Sequence, residues 1–131
     1  MDRLRGLWRG KRTQNDEWVE GYLIQDKNAD FICTITSYYP VSFKPNLKIT
    51  SVDTSTLGEC TGLHDGNGKP IFEDDICTVD DETGVVRYDE ESAIFIIDFD
   101  YHIMDFYNDV FGWDVEVIGN IHDNPELLSG K

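Results

Sequence analysis

The sequence predicts a mainly β fold, with short antiparallel strands forming a rolled sheet or small barrel-like modules and little helix. Segments rich in aromatic and β-branched residues recur along the chain, Phe31-Ile32-Cys33-Thr34-Ile35-Thr36 being the clearest. Turn signals separate them, above all Asp65-Gly66 and Asn67-Gly68 near the middle. Helical signals are few by comparison. With 131 residues and 40% hydrophobic content the chain is long enough for one real core. It reads as a single domain, 1–131, divisible into two β submodules at about 1–58 and 59–131.

The strand signals follow in order. Residues 4–12 end at the polar turn Thr13-Gln14-Asn15-Asp16. Trp18, Glu20, Tyr22 and Ile24 then alternate with Val19, Gly21 and Leu23, so both faces of this second strand carry apolar residues. Residues 25–30 form a polar turn before the strand at 31–36. Pro40 and Pro45 bracket a loop or edge segment, because proline supplies no donor to a ladder. Residues 47–53 read as another strand. The hairpin at 61–76 has its incoming arm ending near Leu63 and its outgoing arm opening at Ile71, with Gly and Asn reaching positive φ at low cost in between. Strands at 75–79 and 85–88 flank the acidic turn 80–84, and residues 93–99 are apolar on both faces, as in a strand covered on two sides. Residues 101–111 admit two readings, a helix placing Ile103, Phe106, Tyr107 and Val110 on one face or a long loop. Trp113, Val115 and Val117 alternate with Asp114 and Glu116 in the closing strand, after which Asn124 caps a short turn with Pro125 at its first position.

The hairpin stretch, TGLHDGNGKPIFEDDI, is similar to the signature of YopX-like proteins of phages and prophages, which runs roughly T-G-L-x-D-x-x-G-x-x-I-x-E-G-D-I. On this chain the signature positions are Gly62, Asp65, Gly68, Glu73 and Asp75. Trp8-Arg9-Gly10-Lys11-Arg12 and Trp18-Val19-Glu20-Gly21 also resemble that family, as do 116–121, with Gly119 and Asn120, and Asn124-Pro125-Glu126-Leu127-Leu128. The resemblance spans nearly the whole chain. It implies a mainly β protein in the cytoplasm of a bacterial host and brings no established activity with it. Asp74 stands where the family has glycine, so the expectation is a bend with positive φ at Asp74 and backbone hydrogen bonds accepted by Asp75.

Candidate chemistries fail on spacing. Asp65-Gly66-Asn67-Gly68 begins like a calcium loop, but Lys69 and Pro70 occupy the next ligand and glycine positions and Ile76 that of the bidentate glutamate. Gly66-x-Gly68 lacks both the third glycine and the lysine-serine pair of phosphate loops. Cys60, His64, Cys77 and His122 match no tetrahedral metal spacing, and the three cysteines form no C-x-x-C, so neither a disulfide framework nor a zinc ribbon is indicated. Glu73, Asp74 and Asp75 are the one carboxylate group in the signature. Such groups serve as acid and base or hold a divalent cation, but at a bend their commoner use is to accept unpaired backbone N–H groups.

The formal charge of −15 argues against generic nucleic-acid or membrane binding and favours cationic protein partners. Charge is uneven: residues 1–12 carry five cations against Asp2, +4, whereas 13–131 carry six basic and 25 acidic side chains, −19. The plain reading is a solvated strand with clustered charges; the sharper one is a basic start, with Arg3, Arg5, Trp8 and Arg9, that contacts the acidic body of a second copy. The expected function is therefore a non-enzymatic accessory or interaction protein, without cofactor or metal, that forms a homo-oligomer. Its alternative is a metal-dependent hydrolase using Glu73 and Asp75. An acidic mimic of DNA rests on charge alone.

Overall fold

The computed structural model describes residues 4–38, 44–107 and 109–129. The chain divides into two compact units, Gly6–Glu59 and the chain from Cys60 onward with Leu4 and Arg5. The boundary falls inside one strand, β5 (Gly58–His64).

The first unit is a meander of β1 (Leu7–Lys11), β2 (Trp18–Gln25), β3 (Asp30–Tyr38) and β4 (Pro45–Val52), with sheet order β4-β3-β2-β1 and the start of β5 beside β1. The sheet rolls: the end of β1 meets the end of β4 through an Arg12–Val52 bridge, and Asp53 N–H donates to the Lys11 carbonyl at 2.8 Å. Val19, Ile32 and Val52 are buried inside the roll, with Trp8 and Leu57 packed on them. Gly21 lets β2 and β3 close up, since a Cβ there would sit 2.3 Å from the Cys33 carbonyl oxygen. A 3-10 turn at Thr54–Thr56 follows, its Asp53 side chain accepting the Ser55 N–H.

In the second unit β6 (Pro70–Phe72) pairs with β5, and a five-stranded antiparallel sheet has the order β10-β9-β8-β7-β11. Its strands are β7 (Asp75–Val79), β8 (Glu82–Asp89), β9 (Ile94–Asp98), β10 (Ile103–Asp105) and β11 (Glu116–Asn120). Ile71, Cys77, Val79, Val86, Ile97, Phe99, Val110 and Val115 form its core. Cys33, Cys60 and Cys77 are buried.

The mainly β, antiparallel expectation holds, and the sheets stay open rather than closing into barrels. Three local readings change. The described residues of 101–111 form neither a helix nor an uninterrupted loop: 103–105 pair with β9, and Asp105 and Asp109 then draw the backbone into a turn, accepting the Tyr107 and Asp105 N–H groups at 2.9 and 3.0 Å. Short acidic side chains compete in this way with helical hydrogen bonds. The closing strand begins at Glu116, because residues 112–114 form a 3-10 turn that brings Gly112 so close to His64 that a Cβ would lie 2.4 Å from its carbonyl oxygen. Asn124 precedes the 3-10 turn Pro125–Leu128, as expected, but makes no side-chain cap; its Oδ1 accepts the Asn120 N–H instead. Pro45 opens β4, at the edge of its sheet, where a missing donor is harmless. Pro40 lies outside the described residues.

Candidate functional site

The signature residues gather in the second unit. Asp65, at the tip of the β5–β6 hairpin, is 5% exposed, and both its carboxylate oxygens are engaged. Oδ1 accepts the N–H groups of Asn67 at 2.9 Å and Lys69 at 2.8 Å, while Oδ2 accepts Val117 N–H at 3.0 Å. Burial by itself would raise its pKa, but the hydrogen bonds from Val117, Lys69 and Asn67, with the Lys69 charge, hold the carboxyl below its ordinary value. Gly66 N–H donates to the Val115 carbonyl at 2.9 Å, and a Cβ on Gly66 would meet the Trp113 carbonyl oxygen at the same distance. Gly68 has φ 84° and closes the turn onto the Asp65 carbonyl. Gly62, φ 86°, sits in the bulge between the Cys60–Phe72 and His64–Pro70 pairs.

The bend after β6 supplies the second anchor. Asp74 has φ 73°, donates its N–H to the Val86 carbonyl at 2.8 Å and accepts Ile121 N–H at 3.0 Å. Its carboxylate lies 3.2 Å from His122 Nε2, with both side chains largely buried. Asp75 is 1% exposed and accepts Phe72 N–H at 2.8 Å. Glu73 is half-buried in the same turn. Asn120, paired with Asp75, accepts the N–H groups of His122 and Asp123 at 3.0 and 2.9 Å. Gly119 leaves room for Asn124, whose Oδ1 would be 2.6 Å from a Cβ there. The two signature blocks are thus one hydrogen-bonded constellation. The carboxylates of Asp65 and Asp75 accept from backbone donors, and that of Asp74 faces the His122 ring. Among the described residues no group of three or more His, Cys, Asp or Glu side chains is placed to hold a metal ion.

The residues expected at a contact between copies are dispersed. Arg3 lies outside the described residues. Arg5 is exposed, its Cγ 3.6 Å from where a Gly62 Cβ would stand. Trp8 packs on the first unit's core, and Arg9 is 8% exposed with its guanidinium 4.9 Å from the Trp18 ring centre. Residues 7–11 are therefore a strand between β2 and β5 rather than a free arm.

Sequence reasoning missed a different surface. Residues paired across an antiparallel ladder share a face. The pairs Leu7–Tyr22, Tyr22–Cys33, Ile24–Phe31, Cys33–Ile49 and Ile35–Leu47 put these side chains on the outer face of the first sheet. Tyr22, Ile24, Ile35, Leu47 and Ile49 are exposed there, the last two by 55 and 57%. The signal was present in β2, which is apolar on both faces although its inner face alone fills the roll.

Fold and site together define a two-unit antiparallel β protein whose most distinctive residues shape backbone. A family model described as YopX protein matches residues 7–129. The chain belongs to the YopX family. It is similar in fold to the crystal structure of protein EF1440 from Enterococcus faecalis, with TM-score 0.52 and 24% identity over 92% of this chain and 96% of that one. No curated protein matches the sequence. No helix among the described residues is long and apolar enough to cross a membrane.

Proposed function

We propose that the chain is a non-enzymatic, self-associating protein of phage or prophage origin, and that copies meet through the outer face of the first unit's sheet. The observation that carries this is the exposed set Tyr22, Ile24, Ile35, Leu47 and Ile49 on one face. Contiguous apolar surface of this kind marks interaction sites more often than it is left in water. Full burial of such a side chain stabilises by about 1.5–3 kcal/mol, so a few suffice to offset part of the cost of association.

A second copy is the occupant that charge favours. On a chain of net charge −15, the charged residues sharing this face are Arg9 and Lys11 against Glu20, a net +1. Another copy approaches it without the acidic repulsion of the chain as a whole, and an apolar face is complementary to itself about a two-fold axis. The basic start is represented on this face by Arg9 and Lys11, which lie over the Trp18 ring of their own chain. The phage setting is supported by the family's resemblance rather than by geometry.

Light scattering at tens of micromolar tests the reading. The intact chain should be oligomeric, and Ile49→Lys, at an exposed position, should give a folded monomer. A monomeric intact chain overturns self-association; an Ile49→Lys oligomer of unchanged mass overturns this face.

A further inference from the structure

Two clefts of the second unit share Trp113 and differ in character. The first, of about 330 Å³, is walled by Leu63, His64, Phe106, Phe111 and Trp113, and its one carboxylate, Asp65, is already engaged by backbone donors. The second, of about 520 Å³, is lined by Asp80, Asp81, Asp114 and Glu116, with no lysine or arginine among the described residues.

The aromatic wall is exposed and yet fixed. Phe111 and Trp113 stack with ring centres 4.6 Å apart and planes 8° from parallel, but they are 57 and 69% exposed. Phe111 covers one face of the indole, so the other face is open. The turn that carries both rings is closed from two sides: Asp114 N–H donates to the Phe111 carbonyl at 3.0 Å, and the Asp114 carboxylate accepts Phe111 N–H at 3.1 Å. Large aromatics held rigidly in water beside an apolar cleft lose little freedom when a partner covers them, and such residues anchor interfaces.

Charge selects the occupant. An open indole face attracts a cation through its ring quadrupole, and the adjoining carboxylates attract it by Coulomb's law. A nucleic acid could stack its bases on Trp113, but its phosphates would meet the four carboxylates. A second copy, of net charge −15, is repelled in the same way. Arginine fits both clefts at once, since its planar guanidinium stacks on aromatic faces while its N–H groups donate to carboxylates.

We propose that the paired clefts dock a segment of a basic protein in which arginine adjoins a large apolar residue. The guanidinium packs on Trp113 against the carboxylates of the second cleft, and the apolar side chain enters the first beside Leu63 and Phe106. The surface belongs to the second unit, so the inference is independent of self-association through the first.

Indole N–H resonances of the intact chain test it, because Trp8 and Trp18 belong to the first unit and Trp113 to the second. The probe is the peptide acetyl-Gly-Leu-Arg-Leu-Arg-Gly-amide at low salt. One companion carries glutamate for both arginines, another serine for both leucines, and a thymidine hexanucleotide is the fourth ligand. The Trp113 resonance should move saturably, with a half-point below about 1 mM, while those of Trp8 and Trp18 stay in place. The serine peptide should bind about threefold or more weakly, and the glutamate peptide and the hexanucleotide should give no saturable shift. Followed at the Asp114 amide, Trp113→Ala should weaken binding about fivefold or more. Asp80→Asn/Asp81→Asn keeps a residue type that tolerates the positive φ at both positions and should cost about fourfold or more. Glu90→Gln/Glu91→Gln removes equal charge elsewhere in the unit and should cost less than about twofold. The intact-chain titrations decide even if a variant fails to fold. No saturable movement of the Trp113 resonance, an equal response to any companion ligand, unchanged affinity in Trp113→Ala, or equal losses in the two double variants would each overturn the site.

Discussion

Asp65 accepts the N–H of Val117 at 3.0 Å although the two residues are 52 positions apart in sequence. This bond ties the tip of the central hairpin to the last strand, and the same carboxylate closes the hairpin on itself through Asn67 and Lys69. One buried side chain therefore serves both a local turn and a long-range contact. That double use explains why an ionised carboxylate is kept at a site only 5% exposed.

A pH dependence follows. The folded-state pKa of Asp65 lies below its unfolded value, so its contribution is fully present above the unfolded carboxylate value of about 3.9 and is lost as pH falls through the folded one. Asp65→Asn can accept through one oxygen only and should be about 2–3 kcal/mol less stable at pH 7 by urea unfolding. The gap should narrow at pH 3. A gap of the same size at both pH values would show that the charge is irrelevant.

Asp74 offers a test of backbone strain. Its φ of 73° is costly for a residue with a Cβ, while its carboxylate gains from His122 at 3.2 Å. Asp74→Gly loses the contact but relieves about 1 kcal/mol of strain, and should be close to neutral. Asp74→Ala loses the contact and keeps the strain. It should melt below the glycine variant, by about 1 kcal/mol in stability; equal stabilities would remove strain from the account.

Gly21 should not tolerate even a methyl group. A Cβ there would lie 2.3 Å from the Cys33 carbonyl oxygen and 2.8 Å from Ile32 Cγ2, so β2 and β3 would have to separate. Gly21→Ala is expected to cost about 1–3 kcal/mol, with hydrogen-exchange protection lost first between these two strands. Full protection there would mean that the sheet yields easily.

The hairpin and bend were legible because local rules act there. Asp-Gly and Asn-Gly set the turn, and Asp74, in the place of a glycine, announced its positive φ. The pairing of Asp65 with Val117 was not legible, since nothing local links a turn to a strand that far away. Helical spacing at 101–111 left helix and loop both open for a related reason: Asp105 and Asp109 bond to their own backbone, which a hydrophobic period does not register. The outer face was hidden differently. Alternation shows that β2 is apolar on both sides, yet only the rolled sheet shows which side is left exposed.

Salt separates the two ways in which copies could meet. A contact driven by the basic start, Arg3 and Arg5 with Arg9, against acidic surfaces should weaken as the Debye length shrinks to about 3 Å near 1 M salt. Arg9, however, is only 8% exposed and its guanidinium lies over the Trp18 ring of its own chain, so it is poorly placed to reach across to another molecule. Contact through Tyr22, Ile35, Leu47 and Ile49 depends on apolar burial, which sulfate strengthens. Screening also relieves the repulsion between two chains of charge −15. The oligomer should therefore persist or tighten in ammonium sulfate, with Arg3→Ser/Arg5→Ser behaving like the intact chain and Leu47→Lys remaining monomeric. Dissociation of the intact chain by 1 M sodium chloride, read as a fall in mass by light scattering, would return the contact to the basic start.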